Sequence, residues 1–260
     1  MGASSNVPDE NIASPHRESI IGAYFAQLTK VLKSDADAKQ IALLFGHRLG
    51  SEYFLAILQL LSEIDRLCRE MGSVLNEFTG RNLGFGKLLT IEHLVIVMKL
   101  YVISRSTLRD LLAYLVKAVF NLSMADWDVK LDRVLKNSHV QSSRIKKIIK
   151  AYDDTLVIKD LNAKRNDLVH RGKIPDEDIE HILKERNRID SLRYSLLEKN
   201  PISEEEHKRQ ISLLHHKLRA LAKEKQDLWR AHHQQTITMI SEIGGELMLK
   251  TIDLYKKQAI

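Results

Sequence analysis

The sequence predicts an all-α protein, a multi-helix bundle with an inserted or appended charged antiparallel helical hairpin. Three observations lead there. Only four prolines and eleven glycines occur in 260 residues, while Leu, Ile, Ala, Lys, Glu and Arg are abundant, as long helices with few tight turns require. Apolar residues recur three and four positions apart along most of the chain. No stretch alternates with the period of two that a half-buried strand imposes.

Residues 1–15 read as a flexible leader. They lack the charged start and apolar run of a secretory signal, and Asn6 stands where a myristoylation pattern requires Ser or Thr. Ser14 and Pro15 suit a helix start, a side-chain cap followed by a residue with no amide hydrogen to satisfy, and "HRESIIGAYFAQLTKVL" continues with helical spacing. A second, long helix follows from Ile41 to about Leu75, with a bend expected near Gly46 or Gly50. The glycine-rich "EFTGRNLGFGK" reads as a loop and lacks the strand and Lys-Ser/Thr pair of a phosphate-binding loop. From Leu88 to about Leu122 the pattern is strongly apolar, interrupted by "SRSTLRD", which is expected to kink or split that helix. Short helices are expected around 126–136 and 142–158.

Beyond Gly172 the character changes. Thin stripes (Ile179, Ile182, Ile189, Leu192, Leu196 and Ile211, Leu214, Leu218, Leu221, Leu228) on two richly charged segments predict an antiparallel hairpin over 175–233. Asn200 and Pro201 break the chain between its arms, and Ser203 with Glu206 fits a capping box. Thr236 to Tyr255 is densely apolar again and is expected to rejoin the bundle. The expected division is therefore a bundle of 16–174 plus 234–260, and a hairpin of 175–233.

Composition narrows the function classes. A single cysteine, Cys68, excludes intrachain disulfides and zinc sites built on two thiolates, and points to a reducing, cytoplasmic interior. The apolar run from Lys87 to Ser104 is interrupted by Glu92, His93 and Lys99, so a buried helix is expected there and no membrane span. Forty basic against thirty-four acidic residues leave a net charge of +6. Lys130, Arg133, Lys136, Arg144, Lys146, Lys147 and Lys150 outnumber Asp126, Asp128 and Asp132 seven to three; this is either a solvated helix face or a nucleic-acid footprint.

"KRNDLVHRG" (164–172) carries the most specific chemistry. Asn166 and His170 are four apart and share a helix face, whereas Arg165 and His170 are about 140° apart on an ideal helix. Gly172 stands where a left-handed helix cap would loosen that geometry. A guanidinium matches phosphate oxygens, an imidazole exchanges a proton near neutral pH, and an amide orients the imidazole. RNA brings its own nucleophile in the 2′-hydroxyl, so a base, an acid and a positive charge suffice without a metal. The same residues also fit a helix-end ion-pair cluster in which Asp167 and Arg171 pair with Arg165 or with each other.

The order and spacing of Arg165, Asn166 and His170 resemble the signature of the HEPN (higher eukaryotes and prokaryotes nucleotide-binding) domain family: an arginine, a polar residue, three more residues and a histidine. The resemblance covers roughly residues 18–174 and the final helix. It implies an all-helical homodimer whose two motifs meet in a metal-independent endoribonuclease site. In that reading His170 is the general acid and base, Arg165 stabilises the phosphorane-like transition state, and Asn166 orients its neighbours. The products are a 2′,3′-cyclic phosphate and a 5′-hydroxyl. "SRSTLRDLLAYL" resembles the family's second helix, making Arg105 and Asp110 auxiliary candidates. Many members are toxins or phage-defence effectors, so an antitoxin or regulatory protein joins RNA and a second copy among the expected partners. Gly172 replaces the tyrosine that some antitoxin-paired members modify.

No cofactor or metal is expected. The neighbouring pairs His215/His216 and His232/His233 point about 100° apart on a helix, which suits solvated histidines on a charged hairpin better than a chelate. Trp127, Trp229 and the tyrosines are too scattered in sequence for a stacking platform and read mostly as packing residues. The runner-up function is a non-catalytic module of the same fold, binding RNA, nucleotide or protein. A coiled-coil scaffold, with the motif a coincidence, is the third.

Overall fold

The computed structural model describes residues 19–31, 48–79, 90–171, 176–194 and 201–258. Among these residues it contains nine α-helices and no strand: α1 (Ile20–Val31), α2 (Arg48–Asn76), α3 (Ile91–Val119), α4 (Leu131–Val134), α5 (Ser138–Gln141), α6 (Arg144–Asp153), α7 (Leu156–Arg171), α8 (Glu177–Tyr194) and α9 (Glu204–Gln258). The all-α class is therefore as expected. Ser14, Pro15, Gly46, most of the glycine-rich loop and Gly172 lie outside the described residues.

Local chemistry sets the helix ends. Ser19 accepts a hydrogen bond from Gly22 N at 2.8 Å, and the Asp65 carboxylate of α2 accepts one from Ile20 N at 2.9 Å, so α1 starts at Ile20 with two of its free amides satisfied. Thr90 caps α3 by accepting from His93 N at 3.1 Å, and Asn121 ends it in the left-handed region at φ 49°. Ser203 caps α9 as the capping box predicts, accepting from Glu206 N at 3.1 Å. Glu206 does not return the bond; its carboxylate is taken by Arg209 and Gln210.

α2 and α3 pack as an antiparallel pair over Ile57, Leu61, Ile64, Met71, Leu94, Met98, Leu108 and Leu115, all fully buried. Each such side chain contributes about 1.5–3 kcal/mol of burial. The expected interruption at "SRSTLRD" does not occur: α3 runs unbroken through it. Its polar residues are accommodated because Leu108 turns into the core while Arg105 and Arg109 reach carboxylates on later elements.

The hairpin is real and antiparallel. Its cross-helix pairs, Asp190–His207 at 3.0 Å, Glu185–Lys217 at 3.3 Å and Asp178–Lys225 at 3.2 Å, step in opposite directions along α8 and α9. Ile179, Ile182, Ile189, Leu214 and Leu218 are buried along the seam as expected, while Leu228 is exposed and its neighbour Trp229 is buried instead. Two things differ from the sequence reading. The second arm continues without a break into the final helix, giving α9 55 residues and a length of about 80 Å. His232 and His233 are buried rather than solvated.

α1 crosses the far part of α9, where Tyr24 donates to Thr251 at 3.2 Å. The crossing is close at Gly244, where an added Cβ would stand 2.8 Å from the Ile20 carbonyl oxygen. Gly244→Ala gains about 1 kcal/mol of helix propensity, but the overpacking costs about 1–3 kcal/mol. We expect the variant's thermal midpoint to fall by a few degrees; a midpoint at or above wild type would mean that α1 does not make this crossing.

Candidate functional site

α7 carries the motif. Two residues separate it from the end of α6, and Ile158 and Leu161 bury its first half in the core. Its second half turns polar. Arg165 is half-buried, Asn166 is exposed, and an Arg165 Nη1 donates to Asn166 Oδ1 at 3.3 Å. His170 is on the helix's last turn, four residues beyond Asn166. The motif thus occupies the C-terminal end of one helix, with two of its members in contact.

Just before it, Lys164 reaches the buried Asp176 at 3.4 Å. Asp176 caps α8, accepting from Asp178 N at 3.2 Å and Ile179 N at 3.4 Å, and its other oxygen meets Lys225 of α9 at 2.8 Å. One carboxylate therefore joins three helices beside the motif. Burial alone would lower the Lys225 ammonium's pKa; the hydrogen bonds and charges of Asp176 and Asp178 outweigh it and the net shift is upward.

Of the two auxiliary candidates, Asp110 is exposed on α3. Arg105 is only 3% exposed. Its guanidinium lies 5.0 Å above the Tyr152 ring and 3.5 Å from Asp153 Oδ1. Arg109, one turn on, donates through Nη2 to Asp132 Oδ1 at 2.8 Å and Asp153 Oδ2 at 3.1 Å. Both arginines thus converge on the last residue of α6, immediately before the motif helix, and Arg105 is engaged there rather than at Arg165 or Asn166.

A buried polar chain continues from this clamp. The Tyr152 hydroxyl contacts Thr236 Oγ1 and lies 3.1 Å from His232 Nε2, while the Tyr101 hydroxyl lies 3.2 Å from His232 Nδ1. Thr236 donates its hydrogen to the His232 carbonyl at 3.0 Å, so Tyr152 must donate to Thr236 and accept from Nε2–H. That leaves Nδ1 as an acceptor for the Tyr101 hydroxyl, whose hydrogen is shared with the Trp229 carbonyl oxygen at 3.4 Å. Every member of the chain then has a partner, the condition under which buried polar groups stabilise a core. Trp229 stacks on Tyr101 with ring centroids 4.8 Å apart and closes the cluster. Sequence reasoning missed this cluster because Tyr101, Tyr152 and His232 are separated by dozens of residues and have no shared motif.

Burial, then the neighbouring Arg105 charge and His233, push the His232 pKa down to about 3. Such an imidazole stays neutral and does no proton transfer near pH 7. A cavity of about 330 Å³ lies elsewhere, between the start of α3 and the hairpin, lined by Thr90, Ile91, Arg186, Asp190, His207 and His215 among others. Among the described residues no cluster of three or more His, Cys, Asp or Glu is arranged to hold a metal, and no helix is long and apolar enough to cross a membrane. Cys68 is buried and its thiol is pushed up to about 12, chiefly by that burial.

The neutral His232 has a consequence for stability. Below about pH 6.5 the unfolded chain takes up a proton at this position that the folded chain refuses, so stability falls with decreasing pH by at most about 1.4 kcal/mol per unit. Urea denaturation between about pH 6.5 and about pH 5, above the range where carboxylates dominate, should show this slope, and His232→Gln should flatten it. An unchanged slope in the variant would place the uptake elsewhere.

No family model, no curated protein and no solved structure matches the chain.

Proposed function

We propose that the protein is a metal-independent endoribonuclease of HEPN type, acting as a homodimer in which two copies of the motif face one scissile phosphodiester. The observation that carries this reading is the placement of Arg165, Asn166 and His170 at the end of one helix, with Arg165 touching Asn166, in an all-α chain. Within this reading, one His170 removes the 2′-hydroxyl proton and the other protonates the departing 5′-oxygen. The two Arg165 guanidinium groups hold the charge that develops on the non-bridging oxygens. The 2′-oxygen forms the new P–O bond as the 5′-oxygen leaves, so the products are a 2′,3′-cyclic phosphate and a 5′-hydroxyl. Toxin or phage-defence roles, and silencing by a partner protein, are extensions of the same resemblance.

The test is cleavage of RNA by purified protein in excess chelator. We expect cyclic-phosphate products, and a rate loss of about 100-fold or more in His170→Ala and in Arg165→Ala, with both variants retaining the wild-type thermal midpoint. The rate per chain should fall on dilution as the dimer dissociates. Cleavage that requires a divalent ion, or that survives in His170→Ala, overturns the proposal. RNA binding without cleavage in the wild type favours the non-catalytic module.

A further inference from the structure

Trp127 is 82% exposed, more than any other large hydrophobic side chain among the described residues. It is not on a loose segment. Its neighbour Asp126 is held to α3 by Lys117 at 2.6 Å, and Tyr114 donates to the Asp126 carbonyl at 3.1 Å; on the other side Asp128 pairs with Arg133. The turn is pinned on both flanks, and the indole between them points to water. Presenting an apolar ring from a rigid turn forgoes burial energy but removes the ordering cost of a later contact.

The surroundings indicate the kind of contact. Every acidic side chain from 126 to 154 is neutralised: Asp126 by Lys117, Asp128 by Arg133, Asp132 by Arg109, Asp153 by Arg105 and Arg109, and Asp154 by Lys159. Lys130, Lys136, Lys147 and Lys150 are exposed and make no ion pair with any described residue. Residues 126–154 therefore carry uncompensated cations together with one projecting aromatic ring. Lys130 stands three residues from Trp127, and Arg109 ties α4 to the end of α6 through Asp132 and Asp153, which brings the Lys130 and Lys150 stretches together at the corner from which the motif helix departs.

We propose that Trp127 and these lysines bind single-stranded RNA, the indole stacking on one unpaired base and the ammonium groups meeting the flanking phosphates. A protein partner would be expected to offer acidic or apolar surface; a polyanion whose bases are free to stack uses both features together. The inference rests on the ribonuclease reading for its choice of RNA as the biological ligand, but its test does not need cleavage.

The experiment measures binding of fluorescein-labelled single-stranded RNA to the full chain carrying His170→Ala, in chelator, by anisotropy over a range of salt. Adding Trp127→Ala should weaken binding about tenfold, while Trp127→Phe should retain most of it. Lys130→Ala, Lys136→Ala and Lys150→Ala combined should reduce the slope of log affinity against log salt by about 2. Duplex RNA, whose bases are already stacked, should be insensitive to Trp127→Ala. Because the indole is exposed, loss of it leaves the core intact, and the thermal midpoint serves as the control. Unchanged single-strand affinity in Trp127→Ala, or an equal loss on duplex, overturns the proposal. If the wild type never cleaves but Trp127-dependent binding is seen, the nuclease reading falls and this one stands; cleavage with Trp127-independent binding does the reverse.

Discussion

An arginine as deeply buried as Arg105 needs a carboxylate within reach, since an unpaired charge at that depth costs several kcal/mol, and Asp153 is the one the fold supplies at 3.5 Å. The requirement works in both directions. Asp153 ends α6, and only two residues separate it from α7, so the contact that neutralises Arg105 also fixes the direction in which the motif helix sets out. Arg109 adds a second grip on the same carboxylate and extends it to Asp132. The two guanidinium groups meet different oxygens of Asp153, Arg105 at Oδ1 and Arg109 at Oδ2, and so hold the carboxylate from both sides. The position of Arg165 and Asn166 is thus set from the middle of α3, more than fifty residues earlier in the chain.

The long helix α9 serves the same end by a different route. A helix of this length is stabilised less by its own hydrogen bonds than by what packs along it, and different stretches of α9 meet different partners. Near its start it pairs with α8 through an apolar seam edged by ion pairs. Its middle presents His232 and Thr236 to Tyr101 of α3 and Tyr152 of α6. Its far end takes α1 at Gly244 and Thr251. The directional hydrogen bonds in the middle fix α9's rotation, which apolar packing alone specifies loosely. Lys225 then lies where it can reach Asp176, next to the motif helix.

Helical periodicity made the class, the presence of helices at α2 and α3 and the antiparallel hairpin legible, because burying a stripe three and four apart admits few other arrangements. Ser203 signalled the start of α9 for an equally local reason. The continuity of α3 through "SRSTLRD" was not legible. Whether Arg105 and Arg109 interrupt a helix or strengthen it depends on Asp132 and Asp153, 23 and 44 residues beyond Arg109. His232 and His233 looked solvated for a similar reason: the stripe around them is that of a hairpin arm, and the tyrosines that receive His232 belong to other helices. At the candidate site, spacing identified Arg165, Asn166 and His170 as a group, yet it held no trace of the Lys164–Asp176–Lys225 link that braces the helix beside them. Trp127 reads from sequence as a packing residue like Trp229, and only the fold, which exposes one indole and buries the other, tells them apart.

Surface charge obeys the same logic. Counted along the chain, residues 126–154 hold seven basic side chains and five acidic ones, a modest excess. Folding changes the balance, because four of the five carboxylates are answered by cations from outside the segment: Lys117, Arg105, Arg109 and Lys159. Within it, Arg133 is spent on Asp128, and Arg144 reaches out to Glu246. The remaining lysines therefore stand uncompensated as a tertiary property. Since paired charges at short range present little field to solvent while unpaired ones attract polyanions, the arginines that orient the motif helix also leave positive the surface where that helix begins. One set of buried contacts thereby directs the motif helix and shapes the electrostatics of the surface at its start.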